Sequence, residues 1–118
     1  MKKILICEDE IEARGSLENL LKKRDFEVYN AGDGKEAIES AKRLKPDLIL
    51  LDIRMPKIDG LEVAKEVRIF DSQVKIVFLT AFQSPELSRE AEKYDIVAYL
   101  VKPILPADIL QVIEQALK

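Results

Sequence analysis

The most informative absence in this 118-residue chain is histidine, because the sequence contains none. Without histidine, the chain can hold no Ser-His-Asp or Cys-His nucleophile, no histidine metal site and no histidine that carries a phosphoryl group. Cysteine occurs once, at Cys7, so an internal disulfide and a cysteine-based metal cluster are also excluded. Any chemistry that the chain performs must therefore use carboxylates, hydroxyls or lysine.

Long apolar runs are missing as well, since no stretch approaches the roughly 18 residues that cross a bilayer. The N-terminal sequence "MKKILICEDE" carries positive charge, but its apolar run stops after four residues, too early for a signal peptide. Basic excess is also absent, because the net charge is −3. We therefore expect a cytoplasmic protein that contacts neither membranes nor nucleic acid directly.

The composition that remains is that of a folded globular domain, with 47% hydrophobic and 35% charged residues. A chain of this length can enclose one core without disulfides or structural metals. We find no internal repeat, linker or low-complexity segment. The sequence therefore predicts a single domain over residues 1–118.

Apolar residues alternate between strand-like and helix-like spacing along the whole chain. Two helix starts are marked by capping signals, Asp33 with Glu36 three residues later, and Ser84 followed by Pro85. Five strands alternating with five helices predict an α/β fold, with a doubly wound parallel sheet covered by helices on both faces. The predicted strands are "KILIC", "FEVYNA", "LILL", "KIVFLT" and "IVAYLV".

Polar side chains follow four of the predicted strands at their carboxyl ends. Functional crevices of open α/β sheets lie beyond those ends. Each residue alone has an ordinary explanation, such as a helix cap or a surface lysine, but five at strand ends indicate one shared site. The five residues are Glu8, Asp9, Asp52, Thr80 and Lys102.

This combination favours phosphoryl chemistry at a magnesium site. Carboxylate oxygens of Asp9 and Asp52, with a backbone carbonyl and water, suit Mg²⁺. Lys102 would balance the acidic residues or pair with a phosphoryl oxygen. A carboxylate between a metal ion and a lysine is a plausible nucleophile toward phosphorus, because the cations neutralise charge on the transferring group.

These motifs make the chain, from Lys3 to Lys118, similar to the receiver domains of two-component response regulators. The resemblance implies the flavodoxin-like strand order 2-1-3-4-5 and phosphorylation on Asp52. It also implies Mg²⁺ bound by Asp9, Asp52 and the backbone carbonyl of Arg54, with Glu8 assisting through water. The segments that carry the resemblance are Glu8-Asp9, "LLDIRMPKIDG", Thr80-Ala81 and "YLVKP".

The resemblance further implies a regulatory role rather than that of an enzyme with a separate substrate. A sensor histidine kinase, or a small phosphodonor such as acetyl phosphate, would supply the phosphoryl group, and the domain would catalyse only its own phosphorylation and dephosphorylation. Thr80 and Lys102 would hold the phosphoryl oxygens. Thr80 and Tyr99 would then act as the switch, changing how the surface of the fourth helix, fifth strand and fifth helix binds an effector. A homodimer formed on phosphorylation is compatible with this scheme.

Several positions depart from the usual family pattern. Glu8 stands where aspartate is commoner, and a water-mediated role would absorb its extra methylene. Asp95 replaces a glycine before the fifth strand, and we expect it to adopt the same left-handed backbone. Arg54 and Phe82 are bulky at positions that, in receivers, flank the path of the hydrolytic water, so we hypothesise slow autodephosphorylation. Gly15 is unusual within a helix and costs about 1 kcal/mol relative to alanine.

Other readings of the sequence remain. A phosphohydrolase of the haloacid dehalogenase type also places an aspartate nucleophile beside Mg²⁺, but it needs a second aspartate where this chain has Arg54. A flavodoxin-like nucleotide binder would need a phosphate-binding loop in place of the acidic "CEDEIEARG". A degenerate receiver would serve only as an interaction module, which the complete set of five residues opposes.

The sequence leaves the output open between DNA binding, RNA binding, enzymatic activity and phosphotransfer. Residues 97–117 are also similar to receivers joined to RNA-binding antiterminator domains.

Overall fold

The computed structural model describes residues 1–118, in which five strands alternate with five helices. This confirms the alternation that the apolar periodicity predicts. The elements in chain order are β1 (Lys3–Cys7), α1 (Ile11–Lys22), β2 (Glu27–Ala31), α2 (Gly34–Leu44), β3 (Leu48–Leu51), α3 (Gly60–Phe70), β4 (Lys75–Thr80), α4 (Pro85–Glu92), β5 (Ala98–Val101) and α5 (Pro106–Ala116).

All strand pairs are parallel, and the order in the sheet is β2-β1-β3-β4-β5. The expected flavodoxin-like order is therefore confirmed. The register aligns the strand ends, because Cys7 lies beside Leu51 and Leu51 lies beside Phe78. Thr80 at the end of β4 lies beside Val101 at the end of β5. Residues that follow these strands consequently emerge at one edge of the sheet.

Each face of the sheet has its own apolar core. Leu5 and Cys7 of β1 face a core to which α2, α3 and α4 contribute, whereas Ile4 and Ile6 face a core with α1 and α5. Successive residues of a strand point to opposite faces, so a strand covered on both sides must be apolar throughout. β3 meets this requirement, since its four residues are at most 1% exposed.

The predicted helix caps are present, with one adjustment. Asp33 accepts the backbone N–H of Glu36 at 2.8 Å, and Ser84 accepts that of Leu87 at 3.3 Å. The side chain of Glu36 reaches back to the N–H of Gly32, one residue before the position typical of a capping box. α2 is thereby fixed directly after β2.

The turn before β5 confirms the expectation for Asp95, whose φ of 55° is left-handed. The turn also delays the strand, which begins at Ala98 rather than at Ile96 as the sequence predicts. The preceding residue already continues the ladder, because the N–H of Val97 donates to the carbonyl of Ile76. None of the helices has the length and apolar character required to cross a membrane.

Candidate functional site

The five residues predicted to share a site come together at the carboxyl edge of the sheet. Backbone hydrogen bonds extend the strand pairing past the strand ends: Asp52 N–H donates to the carbonyl of Cys7 at 3.0 Å, and Lys102 N–H donates to that of Thr80 at 2.8 Å. Asp52 and Lys102 are thus held in place by the hydrogen bonding of the sheet itself.

Lys102 is the cationic side of this site. Its Nζ atom lies 2.7 Å from Glu8 Oε1 and 3.8 Å from Asp52 Oδ2. The Glu8 side chain is only 5% exposed and that of Asp52 12%, so nearby cations and donors are needed to offset the cost of burying these polar groups. The carboxylate that ends the apolar strand β3 therefore lies in an electrostatically compensated crevice.

Backbone amides orient the remaining carboxylate oxygens. Oε2 of Glu8 accepts the N–H of Glu10 at 3.2 Å, and Oδ1 of Asp52 accepts the N–H of Arg54 at 3.3 Å. Glu8 thus has a protein partner on each oxygen, whereas Asp9 is exposed. Asp9 and Asp52 are consequently more accessible to a bound ion than Glu8.

The acidic cluster fits a hard divalent cation. One carboxylate oxygen each from Glu8, Asp9 and Asp52 lie within 4.8 Å of one another. Mg²⁺ prefers oxygen ligands and usually takes only one or two protein carboxylates while keeping several waters. The donor set of this crevice, with two accessible aspartates, matches that preference.

Glycine is required at two points around the loop between β3 and α3. A Cβ atom on Gly60 would lie 2.2 Å from the carbonyl oxygen of Asp52, and the Gly60 N–H donates to the carbonyl of Ile53 at 2.7 Å. A Cβ on Gly34 would lie 2.0 Å from the carbonyl oxygen of Ile58. The loop that carries Arg54 is therefore packed tightly against both its own strand and the start of α2.

The two predicted switch residues meet at Phe82, in the loop between β4 and α4. Thr80 is fully buried, and its Oγ1 accepts the N–H of Phe82 at 3.3 Å. The hydroxyl of Tyr99 donates to the Phe82 carbonyl at 2.6 Å. The Tyr99 ring also lies 6.1 Å from that of Phe78, so one side of it is packed on the core.

Two arginines make contacts in the site that the sequence does not predict. The sequence singles out Arg54 for its bulk only, yet its guanidinium lies 4.0 Å from the centre of the Phe82 ring. Nothing in the sequence singles out Arg14, whose NH1 donates to the carbonyl of Glu8 at 3.3 Å. Neither contact has a local sequence signal, because each joins residues of different loops or elements.

Electrostatics of the site favour a charged Lys102. Its partial burial opposes the charged form, but the hydrogen bond and the charge of Glu8, with a contribution from Asp52, outweigh this and raise the pKa of Lys102. Burial, and then the charge of Asp52, raise the pKa of Tyr99, so its hydroxyl stays protonated and able to donate. Burial also raises the pKa of the Cys7 thiol, which makes it an unreactive core residue.

A groove of about 670 Å³ opens beside the site, between α1 and the segment that follows β5. Lys102 and Pro103 line it on one side, and Ala13, Leu17 and Leu20 of α1 on the other. Lys102 therefore lies between the acidic crevice and this groove.

Comparison with known proteins agrees with this geometry. The family model described as "Response regulator receiver domain" matches residues 4–114. The transcriptional regulatory protein PdtaR of Mycobacterium tuberculosis is 40% identical over 98% of this chain, although the match covers only 56% of PdtaR. The chain thus spans about half the length of that relative. The chemotaxis protein CheY of Listeria monocytogenes is 34% identical over the whole of both chains.

Solved structures show the same architecture. A CheY-like receiver domain from Methanospirillum hungatei superposes with a TM-score of 0.96 at 27% identity, covering 99% of this chain and 94% of that one. The BeF₃-activated N-terminal receiver domain of RstA from Klebsiella pneumoniae gives a TM-score of 0.92 at 32% identity, with 99% of both chains covered. Receiver domains of this kind are regulatory and bind Mg²⁺ at an acidic pocket. The chain belongs to the receiver domain family of two-component response regulators.

Proposed function

We propose that residues 1–118 form a single phosphoacceptor domain in which Asp52 receives a phosphoryl group in a Mg²⁺-dependent reaction. The observation that carries this proposal is the position of Asp52. Its carboxylate ends a fully buried strand, yet its oxygens face Lys102, the N–H of Arg54 and the other acidic residues. A carboxylate in such a crevice can attack phosphorus while its surroundings balance the charge.

The phosphodonor is a phosphohistidine of a sensor histidine kinase or a small acyl phosphate. In the transfer, an oxygen of Asp52 forms a new bond to phosphorus while the bond between phosphorus and the donor atom breaks. The electron pair of that bond returns to the imidazole nitrogen of a phosphohistidine, or to the carboxylate oxygen that leaves an acyl phosphate. The absence of histidine supports the direction of transfer, because this chain cannot supply the phosphohistidine itself.

Asp9, Asp52 and the backbone carbonyl of Arg54 would hold Mg²⁺, with Glu8 acting through water. The protein partners on both oxygens of Glu8 support an indirect role for this residue. When bound, the ion neutralises negative charge on the transferring group. Lys102 and Thr80 would bind phosphoryl oxygens, since the lysine is held 3.8 Å from Asp52 and the hydroxyl lies at the end of the neighbouring strand β4.

Phosphorylation would act on the switch residues Thr80 and Tyr99. The new charge attracts the Thr80 hydroxyl, and this movement would release the Phe82 amide, so that Tyr99 can turn inward. The surface formed by α4, β5 and α5 would then change its binding of an effector domain or protein, or of a second copy of the chain. We place the protein in the cytoplasm, with no direct contact to nucleic acid.

Arg54 and Phe82 support a long-lived phosphoaspartate. Their contact at 4.0 Å places two bulky side chains together at positions where receivers admit the hydrolytic water. Replacing both by alanine should shorten the phosphoaspartate lifetime, and an unchanged lifetime would refute this part of the proposal. The phosphohydrolase alternative is not favoured, because Arg54 stands where its acid/base aspartate is needed and is directed onto an aromatic ring.

The central experiment is mass spectrometry of the protein after incubation with Mg²⁺ and acetyl phosphate. We expect one phosphoryl group on the wild type and none on Asp52→Asn. Asp59→Asn is the matched control, because this aspartate caps α3 outside the acidic cluster. A wild type that gains no phosphoryl group, or an Asp52→Asn variant that gains it, would refute the proposal.

A further inference from the structure

Phe82 receives three contacts from three different elements. Arg54 of the loop between β3 and α3 lies over its ring at 4.0 Å, Thr80 Oγ1 accepts its N–H, and the Tyr99 hydroxyl donates to its carbonyl. Phe82 as a residue is 37% exposed, so apolar burial alone does not fix its position. The Arg54 guanidinium is the one cation over this ring.

Arg54 makes this contact in preference to the acidic site beside it. Its side chain takes part in no ion pair, although its own backbone N–H donates to Asp52. A guanidinium over an aromatic face at this distance gains a cation–π attraction, which is weakest where both groups are exposed to solvent. The contact links the loop that carries Arg54 directly to the loop between β4 and α4.

The two backbone contacts of Phe82 are those that the proposed switch would break. Movement of the Thr80 hydroxyl toward a phosphoryl group removes the acceptor of the Phe82 N–H. Inward rotation of Tyr99 removes the donor to the Phe82 carbonyl. Neither movement breaks the contact with Arg54, so this contact must be broken separately before the loop that carries Phe82 can leave its resting position.

We propose that Arg54 is a positioning residue that tethers Phe82 and thereby stabilises the resting arrangement of the loop between β4 and α4. The tether opposes the switch, although the Arg54 side chain neither accepts nor binds the phosphoryl group. An exposed cation–π contact changes an opening equilibrium by about two- to fivefold. The effect of the tether on activation rests on the proposed function, whereas the existence of the tether does not. The tether is also distinct from the obstruction of the hydrolytic water, which would change the rate of dephosphorylation.

The first test measures hydrogen exchange of the backbone amides of residues 81–84 by NMR, in unphosphorylated protein without Mg²⁺. Arg54→Gln and Phe82→Leu should each accelerate exchange by about two- to fivefold, because either change removes the tether. The double variant should exchange no faster than the faster single variant, since both remove one interaction. Arg43→Gln is the matched control, an exposed arginine of α2 without an ion pair.

Exchange rates that stay at the wild-type value in Arg54→Gln would overturn the inference. An equal acceleration in Arg43→Gln would also overturn it, because the effect would then come from net charge. Phe82→Leu removes the ring without altering the loop that supplies the Arg54 carbonyl. Agreement between the two single variants therefore assigns the effect to the contact.

The second test measures affinity for beryllofluoride, a phosphoryl analogue, with Mg²⁺ by calorimetry. Arg54→Gln and Phe82→Leu should bind it about two- to fivefold more tightly than wild type, because the tether no longer opposes the active arrangement. Unchanged affinity would overturn the inference that the tether opposes activation. A wild type that binds no beryllofluoride would count against the proposed function, and the exchange rates would still decide whether the tether exists.

Discussion

Lys102 lies closer to Glu8 than to Asp52, with its Nζ atom 2.7 Å from Glu8 Oε1 and 3.8 Å from Asp52 Oδ2. The glutamate is one methylene longer than the aspartate that is commoner at this position, and this reach brings its carboxylate into contact with the lysine. Glu8 therefore anchors Lys102 in the resting protein. Under the proposed function, Lys102 leaves this partner to contact a phosphoryl group on Asp52.

Replacing Lys102 by methionine should destabilise the protein and make it more dependent on Mg²⁺. The change leaves the clustered carboxylates of Glu8, Asp9 and Asp52 without their ammonium partner. We expect the free energy of unfolding to fall by about 1–2 kcal/mol without Mg²⁺, which is the scale of a charge-assisted hydrogen bond partly open to solvent. Urea unfolding with and without Mg²⁺ should show a larger stabilisation by the ion in Lys102→Met than in wild type.

Lys57→Met is the control for this prediction, since Lys57 pairs with Asp33 outside the acidic cluster. Its response to Mg²⁺ should equal that of the wild type. Equal responses of Lys102→Met and wild type would show that the lysine and the metal ion do not neutralise the same carboxylates.

Alanine at Gly34 and alanine at Gly15 should have opposite effects on stability. A Cβ on Gly34 would lie 2.0 Å from the backbone oxygen of Ile58, which cannot move without shifting the loop between β3 and α3. We expect Gly34→Ala to cost about 1–3 kcal/mol and to weaken Mg²⁺ binding through the displaced loop. Gly15 lies in α1, where an added Cβ would meet no other atom within 4 Å, so Gly15→Ala should gain about 1 kcal/mol.

Urea unfolding and calorimetric titration with Mg²⁺ check both changes at once. Gly15→Ala should raise the free energy of unfolding without altering the affinity for the ion. A Gly34→Ala protein of wild-type stability would show that the loop accommodates a side chain. A destabilised Gly15→Ala protein would show an unrecognised constraint on α1.

The sequence predicts the fold well because its strongest signals are local. The interior strands β1, β3 and β4 are buried on both faces, and apolar residues such as Ile49, Leu50 and Val77 therefore occur in uninterrupted runs. Parallel strands place their carboxyl ends at one edge, so a residue that follows a strand can be assigned to that edge without knowing any distance. The grouping of Glu8, Asp9, Asp52 and Lys102 follows from this rule.

Contacts between distant loops could not be predicted in the same way. The approach of Gly34 to Ile58, and the position of Arg54 over Phe82, depend on how two loops pack after the sheet has formed. No periodicity in either segment encodes the partner. The sequence likewise does not predict that Lys102 lies closer to Glu8, at 2.7 Å, than to Asp52, at 3.8 Å.

Arg68 provides a further contact of this kind and should contribute strongly to the position of α4. From α3 it donates to the carbonyls of Tyr94 at 2.7 Å, Asp71 at 3.1 Å and Asp95 at 3.0 Å. The glutamine of Arg68→Gln cannot donate to all three carbonyls, so we expect the free energy of unfolding to fall by about 1–3 kcal/mol. Urea unfolding measures this loss, and hydrogen exchange should become faster at the C-terminal end of α4.

Arg43→Gln again serves as the control, because it removes a positive charge from an exposed side chain of α2. Its stability should stay within about 0.5 kcal/mol of the wild type. A loss in Arg68→Gln no larger than in this control would mean that water replaces the three hydrogen bonds at no cost.

The cap of α2 should make stability depend on pH in the acid range. Oδ1 of Asp33 accepts the N–H of Glu36 at 2.8 Å, and its Oδ2 lies 3.3 Å from Lys57 Nζ. The hydrogen bond from Glu36, opposed by slight desolvation and helped by Lys57, lowers the pKa of Asp33. A lowered pKa in the folded protein means that the contribution to stability is fully present above about pH 4 and is lost as the pH falls through the folded value.

Asp33→Asn tests this dependence, because asparagine keeps an acceptor oxygen for the Glu36 N–H but carries no charge. The wild type should be more stable than Asp33→Asn near pH 7, and the difference should shrink as the pH falls below about 4. Urea unfolding across this range measures the difference directly. In a Lys57→Met background the difference near pH 7 should be smaller, because the lysine no longer favours the charged carboxylate, and at low pH it should match that of the parent background. A difference that does not change with pH would mean that Asp33 stabilises α2 through its hydrogen bond alone and not through its charge.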